Sequence, residues 1–167
     1  FMNMIQQSHL YTKRIKFEIN DSYNSIDSAC RSRLDLFSFK SIDMYDKILY
    51  LDTDIIIRGD INNVFNICKD DILYVLEEGT IEDDCKYFGH QLFGDEIHKY
   101  ADKSAFTSGI LLFNRCTKIK ELFDIVKTDI VQRPYPEYFY DQPYFVYNAF
   151  KYNMFNNKLM IQYAANN

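Results

Sequence analysis

Two aspartates one residue apart are the residues of this chain most suited to chemistry. Asp52 and Asp54 follow the apolar run of residues 47–51 directly, in the stretch LYLDTDIII. In an extended segment, side chains two positions apart point to the same side. Two carboxylates that face one point repel each other unless a cation lies between them. Because Mg²⁺ and Mn²⁺ accept carboxylate and phosphate oxygens together, the pair predicts a metal bridge between the protein and a diphosphate.

The same pair also has a structural interpretation, in which Asp52 caps a turn and Asp54 is solvated. Its surroundings favour the metal interpretation, because three isoleucines, residues 55–57, resume the strand-like character after it. Ligands of parallel α/β sheets bind outside the carboxyl ends of the strands, and the pair lies where residues 47–51 end. We therefore expect the two aspartates at the edge of a ligand site.

The composition indicates a folded domain and makes one class of partner improbable. The chain has 167 residues, of which 47% are apolar and 17% aromatic, which suits one domain with a sizeable core and not a disordered chain. The net charge is −5 and the pI about 5.2, so we expect no broad basic surface and no nucleic-acid partner.

The cysteines and the hydropathy pattern indicate a cytoplasmic protein. The four cysteines and three histidines are too widely spaced for a zinc site, and reduced thiols are the simpler interpretation of Cys30, Cys68, Cys85 and Cys116. No apolar run approaches the ~20 residues needed to span a bilayer, so we predict no membrane span. The first residues lack the pattern of a secretory signal.

Helices and strands alternate along the chain, which indicates an α/β domain with a largely parallel sheet. The apolar pattern predicts strands at residues 15–19, 47–51, 71–77, 106–113 and 159–163. Among these, residues 47–51 are typical of a central strand covered on both faces. Helices are predicted at residues 25–39, 82–93, 117–131 and 142–151, and a short one follows Asp60, which caps it and lets it bury Val64 and Phe65.

Two of the predicted helices have a defined apolar side. The helix over residues 117–131 places on one side Ile119, Leu122, Phe123, Val126 and Ile130. The helix over residues 25–39 places on one face Ile26, Ala29, Cys30, Leu34 and Phe37.

Three stretches, in order along the chain, carry a resemblance to a known family. LYLDTDIII followed by GDINNVF resembles the metal-binding signature of the glycogenin-like glycosyltransferases, family 8. FTSGILLFN, residues 106–114, resembles that family's strand beside the donor sugar, and YDQPYF, residues 140–145, resembles its Asp-Gln element near the anomeric carbon. The resemblance implies the GT-A fold, a Rossmann-like nucleotide-diphospho-sugar transferase with a mostly parallel central sheet flanked by helices.

The resemblance also implies roles for the aspartate pair and for the middle of the second stretch. Asp52 would contact the ribose and the metal, and Asp54 would be the principal ligand of Mn²⁺ or Mg²⁺. Thr107, Ser108 and Gly109 would lie against the donor sugar, with Thr107 where the family usually has Asn. A glycine in a buried strand suits close approach by a ligand or by backbone; a bulge is the alternative explanation of Gly109.

The third stretch supplies the residues that the resemblance places at the reaction centre. Asp141 would bind the donor or acceptor sugar, and Gln142 would face the anomeric carbon and stabilise developing positive charge. The alternative is that both residues only cap the helix that Pro143 begins.

Arg33 is the remaining candidate. It follows Ile26 by seven residues and so falls near the apolar face of its helix, where an arginine needs an anion. The resemblance implies that Arg33 points at the donor phosphates. The alternative is that its side chain extends to a surface carboxylate.

The resemblance lacks two elements of the family. The strand and loop that hold uracil are not found before residue 15, and no histidine or Gly/Lys loop that would complete the metal site follows Asp141. We therefore expect residues 1–167 to form a single domain that is a fragment of a GT-A catalytic domain; a degenerate relative of the family is the alternative.

The function implied by the resemblance is metal-dependent transfer of a hexose, with retention, from UDP-glucose or UDP-galactose to a glycan or protein acceptor. Homodimerisation is a further expectation. One alternative is a non-catalytic glycosyltransferase-like domain that binds a glycan or a protein partner. Another is an unrelated hydrolase or phosphatase with Asp52 as nucleophile, but the lysine and second acidic pair that it needs are not clearly placed.

Overall fold

The sheet of this protein is mixed, and not mostly parallel as predicted. The computed structural model describes residues 20–83, 87–134 and 140–165. In these residues, four strands lie in the order β1-β3-β2-β4, with bounds Lys47–Leu51 (β1), Leu73–Thr80 (β2), Ser104–Asn114 (β3) and Phe155–Asn156 (β4). β3 is antiparallel to both β1 and β2, and only β2 and β4 are parallel.

The apolar pattern failed to predict strand direction because burial on both faces produces the same pattern in either direction. β3 has buried residues on both sides of the sheet, although both of its neighbours run opposite to it. The prediction that residues 47–51 form a central strand is also wrong for the described residues, because β1 lies at the edge of the sheet. The strand predicted at residues 15–19 lies outside the described residues.

The two long helices are as predicted. α2 spans Thr117–Gln132 and α3 spans Gln142–Tyr152, with α1 at Ile26–Cys30. The predicted apolar side of α2 is buried in full. α3 begins with Pro143 in its first turn, where the missing N–H of proline costs no helical hydrogen bond.

The helix predicted over residues 25–39 is divided into two. α1 is closed at its N-terminus by a reciprocal pair of hydrogen bonds between Ser25 and Ser28, and a 3-10 helix, Ser32–Ser38, follows it. Ile26 is 74% exposed, so the predicted apolar face is wrong for the first turn. The tighter 3-10 turn instead buries Arg33 together with Leu34.

Short 3-10 helices form most of the remaining structure. The one at Ile61–Ile67 is capped as predicted, because the Asp60 side chain accepts a hydrogen bond of 2.9 Å from the Asn62 N–H. It buries Val64 as predicted, whereas Phe65 is buried only in part. The isoleucines before it are not in a strand. The strand predicted at residues 159–163 is wrong, since Met160–Gln162 is a 3-10 helix in which only Met160 is buried.

A further helix was predicted near residues 82–93, part of which lies outside the described residues. The structure has its helical turns later, at His90–Lys99, with a break at Gly94. The described cysteines, Cys30, Cys68 and Cys116, are free thiols. Among the described residues no helix has the length and apolar character needed to cross a membrane.

The sheet separates two apolar clusters. On the face that α2 and α3 cover, here called the helix face, Leu111 and Phe113 of β3 pack with the buried sides of both helices. On the opposite face, here called the cleft face, Ile110 and Leu112 pack with Met160 and other residues of the short segments. The alternation of β3 side chains between the two faces places neighbouring residues in different surroundings.

Candidate active site

Asp52 lies against Gly109 at the end of β1. The Asp52 N–H donates a 2.9 Å hydrogen bond to the Gly109 carbonyl, one position beyond the last paired residue of the strand. A Cβ built on Gly109 would lie 2.9 Å from the Asp52 carboxylate, which is closer than such contacts normally are. The glycine therefore makes room for the Asp52 side chain, a neighbour that the sequence did not indicate. Close approach of a ligand to Gly109 stays a prediction.

β3 leaves its register with β2 at the same place. The stretch from Phe106 to Leu111 lies opposite the much shorter β2 stretch from Val75 to Glu77, which is an irregularity of the β-bulge kind. The bulge that was the alternative explanation of Gly109 is thus present as well. It frees residues 107–110 from β2 and lets the Thr107 hydroxyl accept a hydrogen bond of 3.1 Å from the Gly109 N–H.

Arg33 is buried on the other side of β3, where its Nε donates to the Cys30 carbonyl at 3.4 Å. Its Nη1 donates to the Ser108 carbonyl at 2.5 Å, its Nη2 lies 3.2 Å from an oxygen of Asp52, and its Nε lies 3.0 Å from an oxygen of Asp141. The side chain is 9% exposed, so it does not extend to the surface. The anions that the buried arginine requires are these two carboxylates.

Asp141 is almost fully buried, and its side chain does not cap α3. Only its backbone carbonyl accepts helical hydrogen bonds, from the N–H groups of Tyr144 and Phe145. Burial raises the pKa of Asp141 from its ordinary value of 3.8 to about 6, against the opposing effect of Arg33. The ion pair with Arg33 is close but poorly aligned, since the same Asp141 oxygen makes no hydrogen bond.

Gln142 connects the start of α3 to the bulged part of β3. Its amide oxygen accepts a hydrogen bond of 3.0 Å from the Ser108 N–H and lies 3.5 Å from the Thr107 hydroxyl. The second and third stretches that carried the family resemblance are therefore in direct contact. Capping of α3 does not account for this contact.

Sequence reasoning missed Tyr50. Its hydroxyl donates a 2.6 Å hydrogen bond to Asp52, and the Arg33 guanidinium lies 5.0 Å from the centre of its ring. Burial is the main reason that the pKa of Tyr50 is raised above its ordinary value. Two positions separate Tyr50 from Asp52, so strand alternation places both on one side and could have identified the tyrosine.

Glu78 is a second residue that the sequence did not indicate. It lies on β2 beside the bulge and hydrogen-bonds Thr107, and burial raises the pKa of its carboxyl above the ordinary value. No spacing in the sequence connects it to residue 107, because the bulge sets the register between β2 and β3.

A cleft of about 930 Å³ opens on the cleft face, which is a suitable volume for a small ligand. Both predicted metal ligands, together with Thr107 and Gly109, line it, and its walls come from residues 55–61, 160 and 163–165. Arg33, Ser108, Asp141 and Gln142 do not line it. The predicted site residues thus form two connected groups, one in the cleft and one buried behind it.

The cleft residues fit a hard divalent cation only in part. Asp54 is exposed and makes no ion pair or hydrogen bond with another described residue, whereas the Asp52 oxygens already contact Tyr50 and Arg33. Within the described ranges no cluster of three or more histidine, cysteine or acidic side chains is present. Mg²⁺ commonly takes one or two protein carboxylates and completes its shell with phosphate and water oxygens. The two aspartates fit that kind of shared site.

Comparison with known proteins gave one match. The family model described as Glycosyl transferase family 8 matches residues 2–154. Searches of curated proteins and of solved structures found no match. The matched range includes all three stretches on which the resemblance was based. It confirms the predicted family and the GT-A fold that the family implies.

Proposed function

The chain belongs to glycosyl transferase family 8, and we propose that it transfers a hexose from UDP-glucose or UDP-galactose to a glycan or protein acceptor. The observation that supports this is the convergence of three distant segments beside the cleft. Asp52 packs on Gly109, and Gln142 hydrogen-bonds Ser108. A donor site needs such convergence, because diphosphate and sugar must be held together while the bond between them breaks.

We assign the diphosphate end of the donor to the two aspartates. Asp54 is the principal ligand of Mn²⁺ or Mg²⁺ in this proposal, because its carboxylate is exposed in the cleft and unpaired among the described residues. Asp52 would contact the ribose and the cation through the carboxylate lone pairs that Tyr50 and Arg33 do not occupy. A bound divalent cation supplies Lewis-acid stabilisation of the departing UDP.

We assign the sugar end to Thr107, Ser108, Gly109 and Gln142. Thr107 and Gly109 line the cleft, and the Gln142 amide oxygen lies within hydrogen-bond distance of the Thr107 hydroxyl. A carbonyl oxygen near the anomeric carbon would stabilise the positive charge that develops there when UDP leaves. Contact of the buried Asp141 with a sugar and retention of configuration stay predictions from the family.

Calorimetric titration of UDP into the full chain, with and without Mn²⁺, tests the donor site. We expect Mn²⁺ to tighten UDP binding by at least tenfold, and we expect Asp54→Ala to abolish that gain while the variant stays folded. Asp83→Ala is the matched control, because Asp83 is an exposed aspartate that does not line the cleft. UDP binding that is indifferent to Mn²⁺ in the wild type would overturn the proposal.

A non-catalytic domain that binds a glycan or a protein is the second candidate. The apolar rim of the cleft favours it, since Ile56 and Ile57 are 83% and 55% exposed. It predicts a folded chain that binds glycans on an array with equal strength in the presence and absence of UDP and Mn²⁺. A glycan signal that UDP and Mn²⁺ together change would count against it.

Two predictions about the whole protein stand beside this proposal. The cytoplasmic location follows from the interpretation of the cysteines, and the homodimer follows from the habit of some family members. Fractionation of cells and light scattering of the purified chain test them. A donor and an acceptor are the partners that any glycosyltransferase requires.

A further inference from the structure

We propose that Arg33 and Tyr50 are positioning residues that together fix the Asp52 carboxylate at the cleft, and that Arg33 ties it to Asp141 beside Gln142. The proposal rests on the proposed donor site. It gives Arg33 a role different from the direct phosphate contact that the family resemblance implies. It gives Tyr50 a role that the family match does not assign.

The Asp52 carboxylate is held from three sides. The Tyr50 hydroxyl donates to one oxygen at 2.6 Å, and Arg33 Nη2 lies 3.2 and 3.4 Å from the two oxygens. The α-carbon of Gly109 closes the third side, since a Cβ there would already be too near. A carboxylate with these neighbours cannot rotate freely, so its remaining coordination sites face the cleft that it lines.

Arg33 is placed to act through other residues. It does not line the cleft. Its Nη1 and Nη2 donate to the Ser108 carbonyl and to Asp52, whereas its Nε donates to the Cys30 carbonyl and lies 3.0 Å from Asp141 as an ion pair. The planar guanidinium suits this task, because it presents donors in fixed directions that a lysine ammonium cannot reproduce. Arg33 therefore sets the position of Asp52, at the diphosphate end of the site, relative to Asp141, which precedes Gln142.

Holding a metal ligand in place has a measurable value. Groups that orient the ligands of a metal site typically contribute 10- to 100-fold to metal affinity. They act by keeping the ligand in its binding orientation before the cation arrives. Loss of either contact to Asp52 should therefore weaken the part of UDP binding that depends on Mn²⁺, and should leave the metal-independent part unchanged.

Two charge-conserving variants isolate this effect. Arg33→Lys retains the positive charge but loses the planar guanidinium with its several donors. Tyr50→Phe retains the ring but loses the hydroxyl. Because neither changes the net charge near the cation, a changed metal dependence reports geometry and not altered repulsion. Arg115→Lys and Tyr45→Phe are matched controls, since both residues lie where β1 begins and β3 ends, at the other end of these strands from Asp52.

The measurement is the ratio of UDP affinities with and without Mn²⁺, obtained by calorimetry for each variant. We expect Arg33→Lys and Tyr50→Phe each to reduce this ratio by about tenfold, with metal-free UDP affinity within about twofold of the wild type. An unchanged ratio in both variants would overturn the proposal. So would a loss of metal-free UDP affinity in Arg33→Lys with the ratio intact, because that result identifies a direct phosphate contact.

Folding and the proposed function are separated by two further comparisons. If Arg33→Lys does not fold by near-ultraviolet circular dichroism, the double variant Arg33→Gln/Asp141→Asn removes both buried charges together and should show the same tenfold loss. If that folded double variant keeps the wild-type ratio of UDP affinities with and without Mn²⁺, the proposed role of Arg33 is wrong. If Mn²⁺ does not change the UDP affinity of the wild type, both the proposed donor site and this inference are wrong. If Mn²⁺ raises the UDP affinity of the wild type and of the variants equally, only this inference is wrong.

Discussion

The helix face and the cleft face of the sheet are covered by different kinds of structure. α2 and α3 cover the helix face, where Phe123 and Phe145 are buried almost completely. The cleft face is covered by the short helix Ile61–Ile67 and by residues near Met160, and several of its isoleucines are exposed. The long helices complete one core, while the short segments leave space for a ligand. Most of the stability should therefore come from the face that does not bind.

β3 connects the two faces in the region of its bulge. Thr107 and Gly109 line the cleft, while Ser108 between them contacts Arg33 and Gln142. Of the groups assigned to the donor, the two aspartates, Thr107 and Gly109 therefore line the cleft, while Ser108 and Gln142 lie behind it with Arg33. A ligand-binding residue supported by a well-packed layer keeps its geometry better than one on a loop alone.

The largest expected effect tests the assignment of stability to the helix face. Phe123→Ala should lower the free energy of unfolding by about 3–5 kcal/mol, because its ring packs against Phe37, Phe113 and Phe145 and no solvent fills the cavity. Ile56→Ala on the cleft face should change it by less than about 0.5 kcal/mol, since that side chain is exposed. Urea unfolding measures both, and similar losses in the two variants would remove the difference between the faces.

The helix face is also the part of the fold that the sequence predicted best. α2 and α3 are long and periodic, so their apolar sides identify them without knowledge of their partners. The cleft face was predicted less well, because short segments such as residues 55–57 and Met160–Gln162 have no periodicity long enough to decide between strand and helix. Their conformation is set by contacts with the rest of the chain.

The candidate site was also predicted only in part from the sequence. The motifs located Asp52, Gly109 and Gln142, since a resemblance in order needs only local sequence. The sequence also indicated Arg33, but not its partners, because Arg33 meets Asp52 and Asp141 through contacts between distant segments. Strand direction and the bulge in β3 determine those contacts, and the apolar pattern predicts neither of them.

The next prediction concerns the charge buried behind the cleft. A raised pKa means that Asp141 contributes its stability below pH of about 4 and loses it as the pH rises through about 6, when the buried carboxyl ionises. Between pH 4 and 7 the wild type should therefore lose on the order of 2 kcal/mol relative to Asp141→Asn. Urea unfolding of both proteins at the two pH values measures the difference. A wild type that instead gains stability over this range would mean that Arg33 outweighs the effect of burial.

The smallest expected effect tests the contact between Asp52, at the end of β1, and Gly109, in the bulge of β3. Gly109→Ala would place a methyl group 2.9 Å from the Asp52 carboxylate, which Tyr50 and Arg33 prevent from moving aside. We expect a loss of about 1 kcal/mol in the free energy of unfolding, as for other insertions into a packed site. We also expect the Mn²⁺-dependent gain in UDP affinity to fall, because the displaced carboxylate no longer points correctly into the cleft.

Gly59→Ala is the matched control for this substitution. Gly59 also lines the cleft, but a Cβ there would meet nothing within 4 Å, and its backbone is not in the left-handed region. We expect it to change neither the unfolding free energy nor the UDP affinity, as measured by urea unfolding and calorimetry. If both variants behave like the wild type, Asp52 can shift without consequence, and the close packing of β1 on the bulge does not set the site. If both lose UDP binding while Gly59→Ala stays stable, the cleft is sensitive to any added volume and the contact between Asp52 and Gly109 has no special part in it.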